Sequence, residues 1–310
     1  MSSIKASDET RPSPVISSKP VGWRATARRL SILFKARVVS LLVLAAIGGA
    51  FLGAAGWPGM ATLTVVIITG WMAASGSASL NEYLEQEQDA IMARTRGRPL
   101  VLGEVQPRWV LWVGIGLIAV PTLIVLPFNK ALSFFLFAGA FIYVVIYTLW
   151  LKPRTLLNIV IGGAAGSAAV LSGGAAAGAW QEPAVLALAA MLFLWTPSHF
   201  WSLAILYRND YAKANVPMLP VNSTPQQAAW WVFLHTGAAA FVALLMVLTP
   251  NLGLVYFIPV FLASAYMIYR NINLVKDPSK KNARILFVSS NIYLLVVLLS
   301  IYLASVLNSI

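Results

Sequence analysis

Long apolar segments, separated by short polar ones, make up most of the chain. Nine of them stay apolar for about 20 residues, the length a helix needs to cross a bilayer. They cover residues 38–57, 60–80, 108–127, 131–150, 156–179, 183–206, 226–248, 252–270 and 285–307. Backbone groups in lipid must bond within the protein, and the alternation typical of a membrane barrel is missing. The pattern predicts an all-α polytopic membrane protein: a single domain over residues 31–310, built as a bundle of about nine transmembrane helices.

The composition agrees with a membrane protein. Hydrophobic residues make up 59% of the chain, charged residues make up 10%, and the mean hydropathy is +0.78. A soluble domain carries about 25% charged residues. The chain has no cysteine, which excludes disulfides and thiolate metal sites.

The net charge of +12 reflects where the basic residues lie. Of the 22 Lys and Arg residues, all except Lys130 fall before the first span or in the loops after the second, fourth, sixth and eighth spans. An excess of Lys and Arg marks cytoplasmic loops. The distribution therefore predicts a cytoplasmic N-terminus and an external C-terminus, and it argues against nucleic acid as a partner.

Residues 1–30, before the first span, are polar and rich in Ser, Pro and Arg. This composition predicts a disordered cytoplasmic tail. The first apolar segment is longer than the core of a signal peptide, so we interpret it as a retained anchor. Because Asp8 and Glu9 argue against a mitochondrial presequence, we expect a multi-pass protein of a bacterial cell (inner) membrane.

The scarce acids gather after the second span, in the segment NEYLEQEQDAIMARTRGRPL that covers residues 81–100. If the helix continues, Asn81, Glu85 and Asp89 form one stripe, because their spacing is four residues. Magnesium prefers oxygen ligands and takes one or two carboxylates from a protein, with phosphate oxygens and water completing its shell. The stripe is therefore a candidate magnesium site on the cytoplasmic side.

Arginines follow this stripe directly. Arg94 and Arg98 offer the fixed fork of donors that suits phosphate. A magnesium–diphosphate site needs both features. The alternative is a solvated helix end that leads into a basic loop, and we assign Glu82 and Glu87 to that alternative.

A second polar group lies in the sixth span, WTPSHFWSLAILYRNDYAKANVPMLP. His199 lies inside the apolar segment, and Asp210 follows eleven residues later, where the span reaches the cytoplasm. In an unbroken helix the two share a face, with His199 roughly 16 Å deeper. An ionisable residue inside the membrane is a functional candidate, although a neutral histidine bonded to a neighbouring helix is the alternative. His235 has no charged residues close to it in the sequence. For this residue we favour the structural role of a neutral histidine bonded within the bundle.

The fifth span begins at Asn158 and continues into the small-residue segment GGAAGSAA, from Gly162. Small residues allow helices to approach closely. They could also leave room for a flat ligand, and the sequence does not separate the two uses.

These motifs resemble the UbiA superfamily of intramembrane prenyltransferases and, within it, the haem O synthase (protohaem IX farnesyltransferase) branch. The first motif matches the N-x-x-x-D-x-x-x-D element of the superfamily. KARVVSLLVL from Lys35 and YTLWLKPRTLLNIVIGGAAG from Tyr147 also match. The pieces HFW and PMLP in the sixth-span segment are specific to the haem branch.

The resemblance implies farnesyl transfer from farnesyl diphosphate to a vinyl group of protohaem IX (haem b), with Mg²⁺ as cofactor, to make haem O for terminal oxidases. The expected partners are these two substrates, the lipid bilayer, and haem A synthase or oxidase assembly proteins. The candidate catalytic and metal-binding residues are Asn81, Glu85, Asp89 and Asp210, with His199 added for catalysis. The candidate diphosphate-binding residues are Lys35, Arg37, Arg94, Arg98, Lys152 and Lys213. The candidate haem-binding residues are His199, Trp195, Trp201 and Asn158.

The sequence departs from the family pattern at four of these positions or next to them. Glu85 replaces the usual Asp, and Asn209 stands where an acid is common. Asn215 replaces a usual Gly, and Ala36 replaces a usual Pro. These changes affect the details of the second metal-binding motif rather than the family assignment.

Two other functions are alternatives. A related prenyltransferase acting on an aromatic quinone precursor would use the same metal motifs, but SHFW argues against it. A membrane transporter would place polar groups near the membrane midplane. Here the acids lie at one edge, which favours an enzyme that is supplied from the cytoplasm.

Overall fold

Thirteen α-helices account for most of the chain in a computed structural model, which describes residues 22–307. The helices are α1 (Trp23–Leu33), α2 (Ala36–Gly53), α3 (Met60–Leu84), α4 (Gln86–Ile91), α5 (Pro107–Val125), α6 (Lys130–Phe141), α7 (Asn158–Gly162), α8 (Ala164–Ala176), α9 (Pro183–Leu206), α10 (Arg208–Lys213), α11 (Pro225–Leu245), α12 (Gly253–Lys276) and α13 (Lys280–Leu307). A π-helix, Ile142–Leu151, extends α6, and a 3₁₀ turn, Met246–Leu248, extends α11. No strand occurs between residues 22 and 307.

Nine helical segments in the described part of the chain are long and apolar enough to cross a membrane. They are α2, α3, α5, α6 with its π-helix, α7 with α8, α9, α11 with its 3₁₀ turn, α12 and α13. The prediction of an all-α polytopic bundle with about nine spans is therefore confirmed.

The predicted N-terminal tail falls in two parts. Residues 1–21 lie outside the described residues. The rest of the tail differs from the prediction, because Trp23–Leu33 forms helix α1. Its Leu33 is buried, and its Arg29 pairs with Glu104 at 2.8 Å. These contacts fix the segment against the bundle.

Helix α2 lies near the centre of the bundle, where it packs against α3, α8, α9 and α13. Its closest approach is to α8. A Cβ added at Gly49 would lie 2.0 Å from the carbonyl oxygen of Val170, and one added at Gly173 would lie 1.7 Å from that of Ala46. Glycine is required at both positions because nothing larger fits between the two backbones.

Helices α3 and α9 both break at the end that carries the polar motifs. Each ends in one residue outside helical geometry: Glu85 (φ −104°, ψ 14°) and Tyr207 (φ −109°, ψ 27°). A six-residue helix follows each break, α4 after Glu85 and α10 after Tyr207. The expectation that the second span continues as one helix through residue 89 is therefore wrong, and the condition of an unbroken helix from His199 to Asp210 is not met. After the first break the Gln86 side chain donates to the Tyr83 carbonyl at 2.7 Å, so this backbone acceptor stays bonded.

Asn215, which stands where the related family usually has glycine, has φ +52°. The left-handed region favours glycine, and asparagine is among the few other residues that tolerate it. The substitution therefore keeps the turn that follows α10.

Candidate active site

The three residues of the acidic stripe remain together despite the break in the helix. Asn81, Glu85 and Asp89 are all buried. The amide of Glu85 donates to the Asn81 carbonyl at 3.1 Å, and that of Asp89 donates to the Glu85 carbonyl at 2.8 Å. Because the four-residue bonding continues through the break, the stripe keeps one face.

Each member of the stripe bonds to a cation, and the two lysines among these come from distant parts of the chain. Lys35 donates to the Asn81 side-chain oxygen, and Arg98 donates to Asp89. Lys152 donates to Glu85 at 2.5 Å. Lys35, Lys152 and Arg98 were all predicted to bind diphosphate, and the structure brings the three together.

Glu82 belongs to the same cluster, so its assignment to a solvated helix end is wrong. It is 1% exposed, and its nearest cation is Arg98, 3.5 Å from Nε to Oε1. Neither carboxylate oxygen has a hydrogen-bond partner among the described residues. Glu87 is exposed, as predicted. We refer to Asn81, Glu82, Glu85 and Asp89 as the acidic cluster.

The π-helix supplies the opposite wall of the acidic cluster. Thr148 accepts from the Asn81 amide at 3.0 Å, and the Tyr143 hydroxyl lies 3.4 Å from the Lys35 ammonium. The Thr148 hydroxyl donates to the main-chain carbonyl of Tyr143, five residues earlier, at 2.8 Å. π-Helical segments are frequent at functional sites. No signal in the sequence indicated this one.

Burial and neighbouring charges shift the pKa values of the cations at the membrane edge. Burial, with help from Arg98, lowers the pKa of Lys35 to about 7. Burial alone would also lower the pKa of Lys152 and Arg98, but the Glu85 carboxylate raises that of Lys152, and Asp89 with Glu82 raises that of Arg98. Burial alone would raise the pKa of Glu85, but Lys152 and Lys35 hold it below the usual value. Glu85, Lys152 and Arg98 are therefore charged, whereas Lys35 titrates near neutral pH.

Two further predicted diphosphate ligands lie around this cluster. Arg94 is exposed, and its guanidinium lies 5.8 Å from the ring centroid of Tyr207, at the second break. Arg37, on the first turn of α2, is exposed. The contact of Arg94 with Tyr207 shows that both helix breaks face one region.

The second motif is more open than the first. Asp210 is half-buried, whereas Asn209 and Lys213 are exposed. No described side chain forms an ion pair with Asp210 as the structure stands. The departure from the family at Asn209 therefore falls on an exposed position.

A cavity of about 230 Å³ begins beside the acidic cluster, at Lys35 and Tyr143, and reaches His199 on α9. A single water needs roughly 10–15 Å³, so the cavity has room for a ligand. Helices α2, α3, α6, α8, α9 and α13 line it, mostly with apolar side chains. Gly162, Gly163 and Gly166 are also on its wall, so small residues of the fifth span make room as well as packing helices.

His199 lies on the cavity wall between two aromatic rings. Its ring stacks on Trp195 at 4.3 Å and on Phe287 at 4.6 Å between centroids. Its Nδ1 lies 2.7 Å from the Ser290 hydroxyl. Trp195 also lines the cavity, so two of the four predicted haem contacts share this surface.

The other two predicted haem contacts lie elsewhere. Trp201 is buried and faces His235, with the two rings 5.0 Å apart and nearly perpendicular. Asn158 is fully buried and donates to the carbonyl of Pro217 at 3.0 Å, which holds the PMLP segment against the fifth span. Neither residue lines the cavity. His235 bonds the Trp231 carbonyl at 3.0 Å, which agrees with the structural role favoured for it.

The acidic cluster fits a divalent cation by its chemistry. In the described residues no three His, Asp or Glu side chains converge as a ready metal site, and Lys35, Lys152 and Arg98 lie against the cluster. However, both oxygens of the buried Glu82 carboxylate lack a hydrogen-bond partner. A buried carboxylate oxygen without a hydrogen-bond partner is costly, and a bound cation would satisfy it.

Comparison with known proteins decides the family. A profile described as the UbiA prenyltransferase family matches residues 41–300. The chain belongs to this family. It is 39% identical over 272 residues to the protohaem IX farnesyltransferase of Metallosphaera sedula, covering 87% of this chain and 94% of the relative.

Solved structures show the same UbiA fold. A digeranylgeranylglyceryl phosphate synthase superposes with a TM-score of 0.75 at 16% identity, over 90% of this chain and 98% of the other. A UbiA homologue from Archaeoglobus fulgidus, bound to DMAPP and Mg²⁺, superposes with a TM-score of 0.62 at 15% identity, over 88% and 99%. The protein is therefore a multi-pass membrane prenyltransferase.

Proposed function

We propose that this protein transfers a farnesyl group from farnesyl diphosphate to a vinyl group of protohaem IX. The observation that carries the proposal is the cavity, which joins a buried cluster of acids and cations to a histidine held between aromatic rings. The relative in Metallosphaera sedula, 39% identical, has the name protohaem IX farnesyltransferase, which supports the same substrates.

The acidic cluster is the place where Mg²⁺ would be held. Asn81, Glu85 and Asp89 supply oxygen ligands, and the buried Glu82 adds a carboxylate whose oxygens lack hydrogen-bond partners among the described residues. The half-buried Asp210 of α10 is a further candidate ligand. When bound, Mg²⁺ neutralises the diphosphate and stabilises it as a leaving group. The Archaeoglobus homologue was solved with both DMAPP and Mg²⁺, which supports this assignment.

The cations of the site bind the diphosphate oxygens. Lys35, Lys152 and Arg98 are already positioned next to the acidic cluster, where each bonds one of its members. With the acids engaged by metal, the same donors turn to the phosphate oxygens. The exposed Arg37, Arg94 and Lys213 extend this positive surface at its rim.

The reaction then needs an apolar space for the farnesyl chain and an acceptor beside it. The allylic C–O bond breaks, and its electron pair leaves with diphosphate. The vinyl group of haem attacks the farnesyl cation, and the new cation beside the porphyrin takes a hydroxide from water, which releases a proton. The apolar cavity wall excludes water from the first cation.

His199 and Trp195 contact the acceptor. Both line the cavity, on the wall formed by α9. A neutral imidazole is a common ligand of haem iron, and a flat indole suits a porphyrin face. Trp201 and Asn158 act from outside the cavity, by fixing α9 against α11 and the PMLP segment against α7.

We also propose that the helix breaks face the cytoplasm, in a cell membrane. The distribution of Lys and Arg supports this orientation. Gly97 offers a direct test, because a Cβ there meets nothing within 4 Å and the chain has no cysteine. The variant Gly97→Cys should resist an impermeant thiol reagent in intact cells and react after lysis. Labelling in intact cells would reverse the orientation.

The function is tested by supplying the purified protein in liposomes with farnesyl diphosphate, Mg²⁺ and haem. We expect a product heavier than haem by one farnesyl group and one hydroxyl, detected by mass spectrometry, and no product with EDTA. A parallel reaction offers an aromatic acid of the quinone-precursor type. Prenylation of that acid in place of haem would contradict the proposal, as would uptake of haem into the liposomes without any product.

A further inference from the structure

Ser290 of α13 stands behind His199, outside the cavity. It is 1% exposed and does not line the cavity wall, whereas His199 does. Its hydroxyl oxygen lies 2.7 Å from His199 Nδ1 and 2.8 Å from the main-chain carbonyl of Phe287, one turn earlier in α13. The three groups form a hydrogen-bond chain from α9 to α13.

The direction of each hydrogen bond in this series follows from the number of hydrogens available. The serine hydroxyl has a single proton, and the Phe287 carbonyl can only accept. If that proton pointed to His199, two oxygens would face each other at 2.8 Å with no hydrogen between them. The hydroxyl therefore donates to the carbonyl and accepts from Nδ1–H. This places the imidazole in the tautomer whose Nε2 has a free lone pair.

Two more contacts hold the ring in this orientation. Trp195 and Phe287 stack on its opposite sides, with interplanar angles of 13° and 26°. The Trp195 indole N–H donates to the main-chain carbonyl of Ser290 at 3.0 Å, so the same residue also orients the stacking partner. No described residue bonds Nε2 of His199. Its lone pair therefore stays available to a ligand in the cavity.

We propose that Ser290 is a positioning residue for the acceptor: it fixes His199 in the Nδ1–H tautomer so that Nε2 binds the iron of the porphyrin. The inference rests on the proposed function, since it requires an iron porphyrin in the cavity. Histidines that bind metals commonly donate their other N–H to an oxygen acceptor, and loss of that acceptor costs about 10–100-fold in metal affinity. Ser290 occupies this role from a helix that supplies none of the predicted site residues.

The alternative is that Ser290 only joins two helices, as polar residues in membrane proteins often do. The two roles differ in what they require of the ligand. A positioning role acts through iron, whereas a packing role changes the cavity for any porphyrin. Iron protoporphyrin IX and iron-free protoporphyrin IX have the same ring and side chains, so the pair separates the two roles.

The experiment measures binding of both porphyrins to the full-length protein in detergent, by absorption spectroscopy, for Ser290→Ala, Ser290→Thr and the control Ser289→Ala. Ser289 is buried on the same helix and does not line the cavity. We expect Ser290→Ala to weaken binding of the iron porphyrin about 10–100-fold and to shift its Soret band, with iron-free binding unchanged within about twofold. Ser290→Thr, which keeps the hydroxyl, and Ser289→Ala should behave like the parent.

Equal weakening for both porphyrins in Ser290→Ala, or unchanged iron binding, would overturn the positioning role. His199→Gly provides a second arm: added imidazole should restore the parent Soret band in this variant, and failure to restore it would also overturn iron ligation. The proposed function has a separate readout, farnesylated haem made by the parent protein. A parent that makes this product while Ser290→Ala binds iron porphyrin normally would refute only the inference about Ser290.

Discussion

The two helix breaks have nearly the same backbone and very different surroundings. Glu85 and Tyr207 differ by 5° in φ and 13° in ψ, and each precedes a six-residue helix. Around the first break three acids are buried, and three cations, two of them from distant segments, bond to the cluster. Around the second, Asp210 is half-buried and its neighbours Asn209 and Lys213 are exposed.

This difference shows that the break in the helix backbone does not depend on the charges of the side chains around it. Each break leads into a six-residue helix with at least one acid in its first turn. At the first break the buried acids require cations, since a buried charge without a partner is costly. We therefore expect the first break to be the main metal and diphosphate site, with the second one assisting it.

The largest effect should follow from neutralising the acidic side chains at the first break. Asp89→Asn and Glu85→Gln each remove a candidate metal ligand, and we expect the rate of farnesyl transfer to fall by at least about 100-fold, because metal stabilisation is worth several kcal/mol. The rate is measured by mass spectrometry of the haem product. Glu87→Gln is the matched control, since Glu87 lies in the same short helix but is exposed. Normal activity in Asp89→Asn would remove the acidic cluster from the mechanism.

The same change at the second break should matter less. We expect Asp210→Asn to lower the rate about tenfold, because this half-buried acid assists a site whose main ligands lie on α3 and α4. A higher Mg²⁺ concentration should recover part of the loss. If Asp210→Asn lost as much as Asp89→Asn, the two breaks would be equal and the comparison would fail.

Lys35 allows a test of the site by proton uptake. Its pKa is about 7 in the free protein, where burial opposes its charge. A diphosphate beside it favours the charged form and raises the pKa, so binding takes up roughly half a proton at pH 7 and close to one at pH 8. Calorimetry in buffers of different ionisation enthalpy measures this number. Lys35→Arg, which stays protonated, should lack this uptake; equal values in both proteins would contradict the assignment.

The smallest effect is expected where the two breaks touch. The contact of the Arg94 guanidinium with the Tyr207 ring, at 5.8 Å, is exposed, and such pairs are worth about 0.5–1 kcal/mol. Arg94→Gln should weaken binding of farnesyl diphosphate about two- to fivefold. Arg96→Gln, two residues away and also exposed, serves as the control. An effect of the same size in both variants would mean that Arg94 acts only through the general positive charge of this surface.

The sequence predicted those features that depend on local spacing. The nine spans follow from apolar length, and the stripe of Asn81, Glu85 and Asp89 follows from helical periodicity. That stripe survives the break because the hydrogen bonds from Glu85 to Asn81 and from Asp89 to Glu85 continue through it. Arg98 was predicted from its place directly after the stripe, whereas Lys35 and Lys152 were found through the family resemblance, since nothing local marks them.

The features that the sequence did not predict depend on distant contacts. The burial of Glu82 depends on Arg98, which lies 16 positions later and folds back over the acidic cluster. No glycine or proline marks the breaks at Glu85 and Tyr207. Ser290 is 91 residues from His199 in the chain, and only the packing of α13 on α9 joins them.

The central claim is that the first break binds farnesyl diphosphate and His199 binds the acceptor. The most direct test is Mg²⁺-dependent binding of farnesyl diphosphate, measured by calorimetry on the parent, Asp89→Asn and His199→Ala. We expect Asp89→Asn to lose this binding and His199→Ala to retain it within about twofold, while haem binding shows the reverse order. Retained binding in Asp89→Asn, or equal loss in both variants, would contradict the division of the site.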